Sequence, residues 1–438
     1  MSEMEPIPEL RRRSELRARS GSGSVKGIAR HGRLRKAGPA GTIVTVVAVA
    51  LAVLLVSGTS VAAMAFNSVY SKKTSVALVG ETDGPPPQIG AISGGFNILI
   101  AGSDTRSNQG GIGGTVADDS ASLNDVNILL HVSQDQTNAV AISIPRDMVV
   151  GIPECPLTDR PGHTKPYSTE PINVALSYGG LPCIVLAVQE LTGLPIQFAG
   201  MITFQGVIDL SNAIGGVSVC ITAPMVDPYT GINLPAAGTY NLQGDTALAF
   251  LRSRHGVGDG SDLTRISSQQ VFLSSLVRTM KSSNTLGNYK TLYELADAAL
   301  RNMTLSNGLS NVPTMISIAL ALKNIPMQRV TFVQYPGFTG QTEAPYTGKV
   351  RPNKDLGDKL IALVAADQPF TLDSAGDGQG SVADTSASTP APAPTGASAA
   401  STDAPVSNVG LPVLSGIRGQ TAADRTCSIT QTATGRED

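Results

Sequence analysis

At 438 residues the chain has room for two or three domains, and its net charge of −2 gives no global electrostatic case for a nucleic-acid partner. Charged residues make up only 15% of it and Trp is absent, so composition by itself names no chemistry. Both ends are compositionally unusual, which leaves a central block of about 290 residues, the size of one large α/β domain.

Residues 1–36 form a basic tail, with ten Lys and Arg between Arg11 and Lys36 and no apolar periodicity. An uncharged stretch follows from Ala37 to Ser71, centred on T-I-V-T-V-V-A-V-A-L-A-V-L-L-V. It exceeds the roughly 20 apolar residues needed to cross a bilayer, so 37–71 is expected to be a transmembrane helix region. Basic residues stay on the cytoplasmic side, which puts the N-terminus inside and the bulk of the chain outside. The competing reading is a cleaved signal peptide, with Ala63-Met64-Ala65 as the small-x-small site. Both readings export the remainder.

After a spacer at 72–95, residues 96–370 read as one domain. Phe96–Gly102 is a short continuous apolar run ending in Gly, a buried strand. Val126–Val132 and Ala139–Ile144 read the same way, and the polar S-Q-D-Q-T-N between them predicts a hairpin. Helical patterns cover 172–178 and 181–191. A strand is expected at 196–203, a helix at 204–213 closed by Gly215-Gly216, and a strand at 217–221. Ser261 is a suitable N-cap for a long helix from Asp262 to Met280. Two more helices fall at 292–303 and 312–322, a last strand at 330–335 and a last helix at 355–366. The order predicts a mixed central β-sheet sandwiched between helices. Residues 371–409 collapse into Ala, Ser, Thr, Pro, Gly and Asp and read as a disordered linker. A short segment, 410–438, regains a few apolar residues and one Cys.

Cys155, Cys183, Cys220 and Cys427 show no C-x-x-C spacing, which argues against zinc, and an even count in an exported chain favours disulfides. Cys155 in a Pro-rich loop is paired with Cys183 on the helix shortly after it. Cys220 is then left for Cys427, tethering the C-terminal segment. The lack of a G-x-S-x-G elbow argues against serine-hydrolase chemistry, as do only four His, of which His131 lies mid-strand and reads as a packed core residue, while His163 and His255 lie in loops.

What stands out is Arg and Asp at the ends of predicted elements: Asp104 and Arg106 after the first strand, Asp125 before the second, Arg146 after the third, and Arg252, Arg254, Asp262 and Arg265 in F-L-R-S-R-H-G-V-G-D-G-S-D-L-T-R. Open α/β sheets place ligands there. Guanidinium forks bind phosphate oxygens bidentately, and paired carboxylates near phosphate suit Mg²⁺. These residues point to phosphate handling; ordinary surface ion pairs are the plain alternative.

The ordered set N-I-L-I-A-G-S-D-T-R, V-N-I-L-L-H-V, A-I-S-I-P-R-D, I-N-V-A-L-S-Y-G-G, I-D-L-S-N-A-I-G-G-V-S-V, L-Q-G-D-T-A-L-A-F-L-R-S-R and D-L-T-R-I-S-S-Q-Q resembles the LytR-CpsA-Psr family of cell-wall glycopolymer ligases. The resemblance implies that family's fold and a Mg²⁺-dependent phosphotransferase at the cell membrane. It would move a polyprenyl-pyrophosphate-linked glycopolymer onto a peptidoglycan sugar hydroxyl and release polyprenyl phosphate. By the same resemblance Asp104 and Asp125 would hold Mg²⁺, and Arg106, Arg146, Arg252 and Arg254 would bind the pyrophosphate. Arg252, Arg254, Asp262 and Arg265 would form the catalytic set, with Asp262 a candidate base. A tunnel between sheet and helices would take the lipid. Three positions depart from the family: Leu123-Asn124 lacks the basic residue before Asp125, Ser268 stands where a second Arg is usual, and Pro171 where Lys is common. The alternatives are a non-catalytic envelope protein that binds glycopolymer or lipid carrier, and a polyprenyl-pyrophosphate hydrolase.

Overall fold

Eight strands make the central sheet, and those near its middle are short and apolar enough to be buried on both faces. The structure is a computed structural model and describes residues 43–44, 46–50, 52–53, 57, 74–81, 92, 94–103, 123–158, 160–282, 285–384 and 410–431. The chain divides into two units, Met1–Met64 and Ala65–Asp438. In the first, the described residues are helical and Ile43, Val44, Val46, Val47, Val49 and Val53 are exposed.

In the second unit the elements run in chain order as β1 (Thr74–Val76), β2 (Phe96–Ser103), β3 (Asn124–Val132), β4 (Ala139–Ile144), β5 (Val149–Ile152), β6 (Tyr167–Pro171), α1 (Ala175–Thr192), β7 (Phe198–Ile202), α2 (Phe204–Ile214), β8 (Val217–Ile221), β9 (Met225–Asp227), β10 (Ile232–Leu234), β11 (Gly238–Leu242), α3 (Gly244–Arg252), α4 (Asp262–Ser282), α5 (Tyr289–Asn302), β12 (Met303–Ser306), α6 (Val312–Asn324), β13 (Val330–Gln334) and α7 (Lys354–Ala365). The sheet order is β1-β12-β7-β2-β3-β4-β13, ending on strand Gly419–Thr421. β2, β3 and β4 are antiparallel, whereas β7 runs parallel to β2 and β13 parallel to β4. The sheet is therefore mixed, as its sequence pattern predicts.

Strand periodicity sends alternate side chains to opposite faces. Along β2, Leu99 and Ala101 enter the core under α1 and α7, while Phe96 and Ile98 enter the core under α5 and α6. The same split recurs on β4, with Ile142 on one side and Ala141 on the other. The central hairpin is further tied by buried His131, whose Nδ1 lies 2.8 Å from Asn97 Oδ1 and whose Nε2 lies 3.0 Å from Asp367. Burial pushes its imidazole down despite the carboxylate.

The two helical patterns at 172–178 and 181–191 lie on one element broken at Gly179 and Gly180, where the dihedrals leave the helical range. A side chain at Gly179 would meet Pro156 O at 2.6 Å and Cys155 Cβ at 2.9 Å. The glycine thus lets the Cys155 loop reach the helix, and Cys155 is bonded to Cys183. Among the described residues α1 with its leading turn, Ile172–Thr192, is the one helix long and apolar enough to cross a membrane, and 67% of its apolar window is buried inside this domain. α2 follows the expected start and stop. Thr203 Oγ1 accepts from Gly206 N at 3.1 Å, and Gly215 closes the helix at φ 83°.

One expectation fails. The linker predicted over 371–409 is structured in its first part: 371–372 is a strand, and 381–383 pairs antiparallel with strand Thr426–Ser428. Polar turns and a little apolar burial make this possible, with Leu414 in the main core and Leu372 packed against it. The Asp377 carboxylate accepts from Gly380 N at 2.7 Å and Ser381 N at 2.9 Å, folding a sequence too polar to collapse by itself. Residues 385–409 and 432–438 lie outside the described residues. Strand Thr426–Ser428 also runs parallel to β8, in register Cys427↔Cys220, and those cysteines are bonded. A second sheet, β11-β8-(426–428)-(381–383), results, with α3 and α4 packed on it through Phe250, Val271 and Phe272.

Candidate active site

β3 begins, β4 ends and α4 begins at one place, and the charged residues there come from all three. Asp125 is the second residue of β3, Arg146 follows β4, and Asp262 and Arg265 occupy the first turn of α4. Arg146 Nη1 pairs with Asp125 Oδ1, and its Nε lies 3.4 Å from Asp262 and 3.5 Å from Asp147. Arg254 Nη2 is 3.4 Å from the same Asp262 oxygen. Arg265, only 4% exposed, reaches Asp262 at 2.7 Å and donates to the Asp125 carbonyl at 2.8 Å. Three guanidiniums therefore converge on two carboxylates, while Lys349 holds Asp147 from the far side at 2.8 Å.

The electrostatics follow. Burial alone would raise the Asp125 carboxyl, but Arg265 and Arg146 outweigh it and hold the group below its ordinary value. Burial lowers Arg265, whereas at Arg146 the burial effect is overcome by Asp125 and the proton is held more tightly. Asp125 is thus a fixed anion in a cationic setting. Neither Asp262 carboxylate oxygen has a hydrogen bond of good geometry among the described residues, although Arg265 lies within ion-pair distance of Oδ1.

Asp125, Arg254 and Arg265 of this cluster line an apolar cavity of about 550 Å³ between the sheet and helices α2, α3 and α4. Ile128, Val207, Leu210, Leu248, Phe272 and Leu273 line it, and Arg252 is among the lining residues as well. The volume is that of a small-molecule site. Arg252 ends α3 with its guanidinium over the Phe204 ring at 4.3 Å, and both residues line the cavity.

Of the residues singled out in the sequence, Asp125, Arg146, Arg254, Asp262 and Arg265 form one network, and Arg252 shares its cavity. Asp104 and Arg106 lie outside the described residues. Ser103, just before Asp104, is in register with Asn124, just before Asp125. The Asp125 carboxylate, held as an anion by its arginines, is a hard oxygen donor of the kind Mg²⁺ takes, so the residue present fits that ion. The one other cluster of metal-capable groups among the described residues, Cys220, Cys427 and Asp384, is excluded by the disulfide.

Sequence reasoning missed Asp227, His255 and Tyr229. Asp227 is fully buried and accepts from Ser253 Oγ at 2.7 Å and Arg254 N at 3.2 Å, so it sets the backbone that carries Arg254. Its D-P-Y-T-G context was the available signal, a turn signature whose carboxylate binds nearby backbone. The departure at Ser268 also has a structural setting: the residue is 1% exposed and its hydroxyl bonds Ser428 on the C-terminal strand.

The LytR_cpsA_psr family signature matches residues 54–354. The chain belongs to the LytR-CpsA-Psr family. It is 30% identical over 268 residues to the cell wall biosynthesis protein LcpA of Corynebacterium glutamicum, covering 56% of this chain and 51% of that protein. It is 28% identical over 303 residues to TagT of Bacillus subtilis, named a polyisoprenyl-teichoic acid–peptidoglycan teichoic acid transferase, covering 67% and 86% respectively. The chain spans about half the length of LcpA and of the related LcpB. Among solved structures, B. subtilis TagV aligns at a TM-score of 0.49 and 21% identity, over 63% of this chain and 97% of that one.

Proposed function

We propose that this LytR-CpsA-Psr protein is a membrane-anchored, extracytoplasmic phosphotransferase that moves a polyprenyl-pyrophosphate-linked anionic glycopolymer onto a peptidoglycan sugar hydroxyl. The observation that carries the reading is the joining of an apolar cavity to an arginine cluster, since a lipid diphosphate needs both in one ligand's length. TagT's name gives the reaction class. The run at 37–71 is the anchor in this reading, with the basic tail inside the cell.

The lipid occupies the cavity, and Arg252 and Arg254, with Arg106 and Arg146, bind the two phosphates. The acceptor hydroxyl oxygen bonds to the phosphorus that carries the glycopolymer. The bond from that phosphorus to the bridging oxygen breaks, and the electron pair leaves on polyprenyl phosphate. Asp262 is the candidate base that would take the hydroxyl proton. Arg265, buried between Asp125 and Asp262, is a positioning residue rather than a phosphate ligand. Asp104 and Asp125 would hold Mg²⁺, which supplies neutralisation of phosphate charge when bound. The rest of the rate comes from fixed positive groups that need no reorganisation as charge spreads.

Organic extraction of the purified full-length protein, followed by mass spectrometry, tests the lipid half of the reading. Polyprenyl phosphate or diphosphate in wild type and its loss in Val207→Trp, which fills the cavity, is expected. A wild-type protein that neither carries nor binds such a lipid would overturn it.

A further inference from the structure

A pair of rings lies on the cavity wall outside the Asp125–Asp262 ion-pair network. Tyr229 is 73% exposed, and its ring lies against His255 with centroids 4.4 Å apart and planes tilted by 36°. The His255 side chain is itself 58% exposed. Both residues border the cavity beside Arg254. An open tyrosine ring contributes little to a core, so fold stability does not account for its place.

The pair is nevertheless held still. Asp227 accepts from Tyr229 N at 3.0 Å and from Arg254 N at 3.2 Å, so one buried carboxylate fixes the backbone of the aromatic residue and of the arginine together. Gly231 N closes the turn onto Asp227 O at 2.9 Å. A rigid aromatic face registered to an anion site suits a hexopyranose. The ring's apolar C–H face packs on the aromatic surface, and its hydroxyls stay in water or meet the imidazole.

We infer that Tyr229 and His255 form the platform on which the acceptor sugar of the peptidoglycan strand lies during transfer. The inference rests on the transferase reading above. In-line displacement puts the attacking hydroxyl opposite the leaving oxygen. The leaving polyprenyl phosphate has its lipid in the cavity, so the acceptor enters from the solvent side, and these rings are the solvent-facing part of the wall. A polymer that cannot enter a cavity needs a platform that is exposed, as this one is.

The chain contains no tryptophan, so Tyr229→Trp gives the full-length protein a single reporter at the platform. Chitotetraose, a soluble N-acetylglucosamine oligomer, is expected to change its fluorescence saturably, and His255→Ala in that background should weaken the binding. In transfer assays with uncrosslinked peptidoglycan glycan, Tyr229→Ala should raise the acceptor KM about tenfold while kcat and donor Kd move less than about twofold, and Tyr229→Phe should restore the KM. An unchanged acceptor KM in Tyr229→Ala overturns the inference, and so does an equal loss of donor affinity, which would give the rings to the donor's own sugar. If wild type transfers nothing, the transferase reading fails first, and the chitotetraose titration still decides the platform: no saturable response rules it out.

Discussion

Arg265 reaches across 140 residues of sequence to donate to the backbone carbonyl of Asp125 at 2.8 Å, and its guanidinium also meets the Asp262 carboxylate at 2.7 Å. One buried side chain thus ties the start of α4 to the start of β3. Removing one member of a buried charged set leaves the others uncompensated, at a cost of about 3 to 5 kcal/mol. Arg265→Ala is therefore expected to lower Tm by several degrees and to abolish transfer. Thermal unfolding beside a transfer assay checks both; a Tm equal to wild type would mean that the pairing adds nothing to the fold.

Arg252 should behave differently. One of its contacts is with the Phe204 ring, worth about 0.5 to 1 kcal/mol. Arg252→Ala should lose about a hundredfold or more in transfer while Tm falls little. Equal losses in both would make this arginine structural.

The Asp125 charge predicts a pH signature. A carboxyl held below its unfolded value stabilises the fold at all pH above that unfolded value, and the contribution is lost as pH falls through the folded value. Arg146→Gln removes a pairing and a hydrogen bond that hold it down, so the folded value moves back toward the unfolded one. The variant should be less stable than wild type near neutrality, and the gap should narrow below about pH 4 as Asp125 protonates in the unfolded chain. Tm profiles over that range test this. A gap independent of pH would assign the loss to something other than Asp125.

The C-terminal strap predicts redox sensitivity of the site. The Cys220–Cys427 bond spans 207 residues, which by chain entropy is worth about 5 kcal/mol. Next to it, Ile429 O accepts from Gly258 N at 2.9 Å and Gln431 N donates to Gly256 O at 3.0 Å, holding the loop that follows Arg254. The double variant Cys220→Ser, Cys427→Ser should lose stability and transfer together. Full activity at a temperature where the variant stays folded would separate strap from site.

A large part of the architecture was legible because buried strands announce themselves: the β2, β3 and β4 runs, the S-Q-D-Q-T-N turn and the Gly215 stop all follow from short-range pattern. Local spacing also marked Asp125, Arg146, Arg254, Asp262 and Arg265, since each sits at the end of an element. The second sheet was not legible. It depends on strands of three residues, 381–383 and 426–428, whose pairing is set by a remote disulfide and by polar turns rather than by periodicity. Asp227 escaped for a related reason: its partners Ser253 and Arg254 are adjacent to it only in three dimensions.

The central claim is acceptor-dependent transfer from a lipid diphosphate. Its most direct measurement is the stoichiometry of polyprenyl phosphate released to labelled glycopolymer attached, using the full-length protein, Mg²⁺, a labelled lipid-diphosphate donor and peptidoglycan glycan. The account predicts one released for each attached, and neither without acceptor. Release that continues unchanged without acceptor would show a hydrolase, and donor binding with no release would show a binding protein; either result contradicts the account.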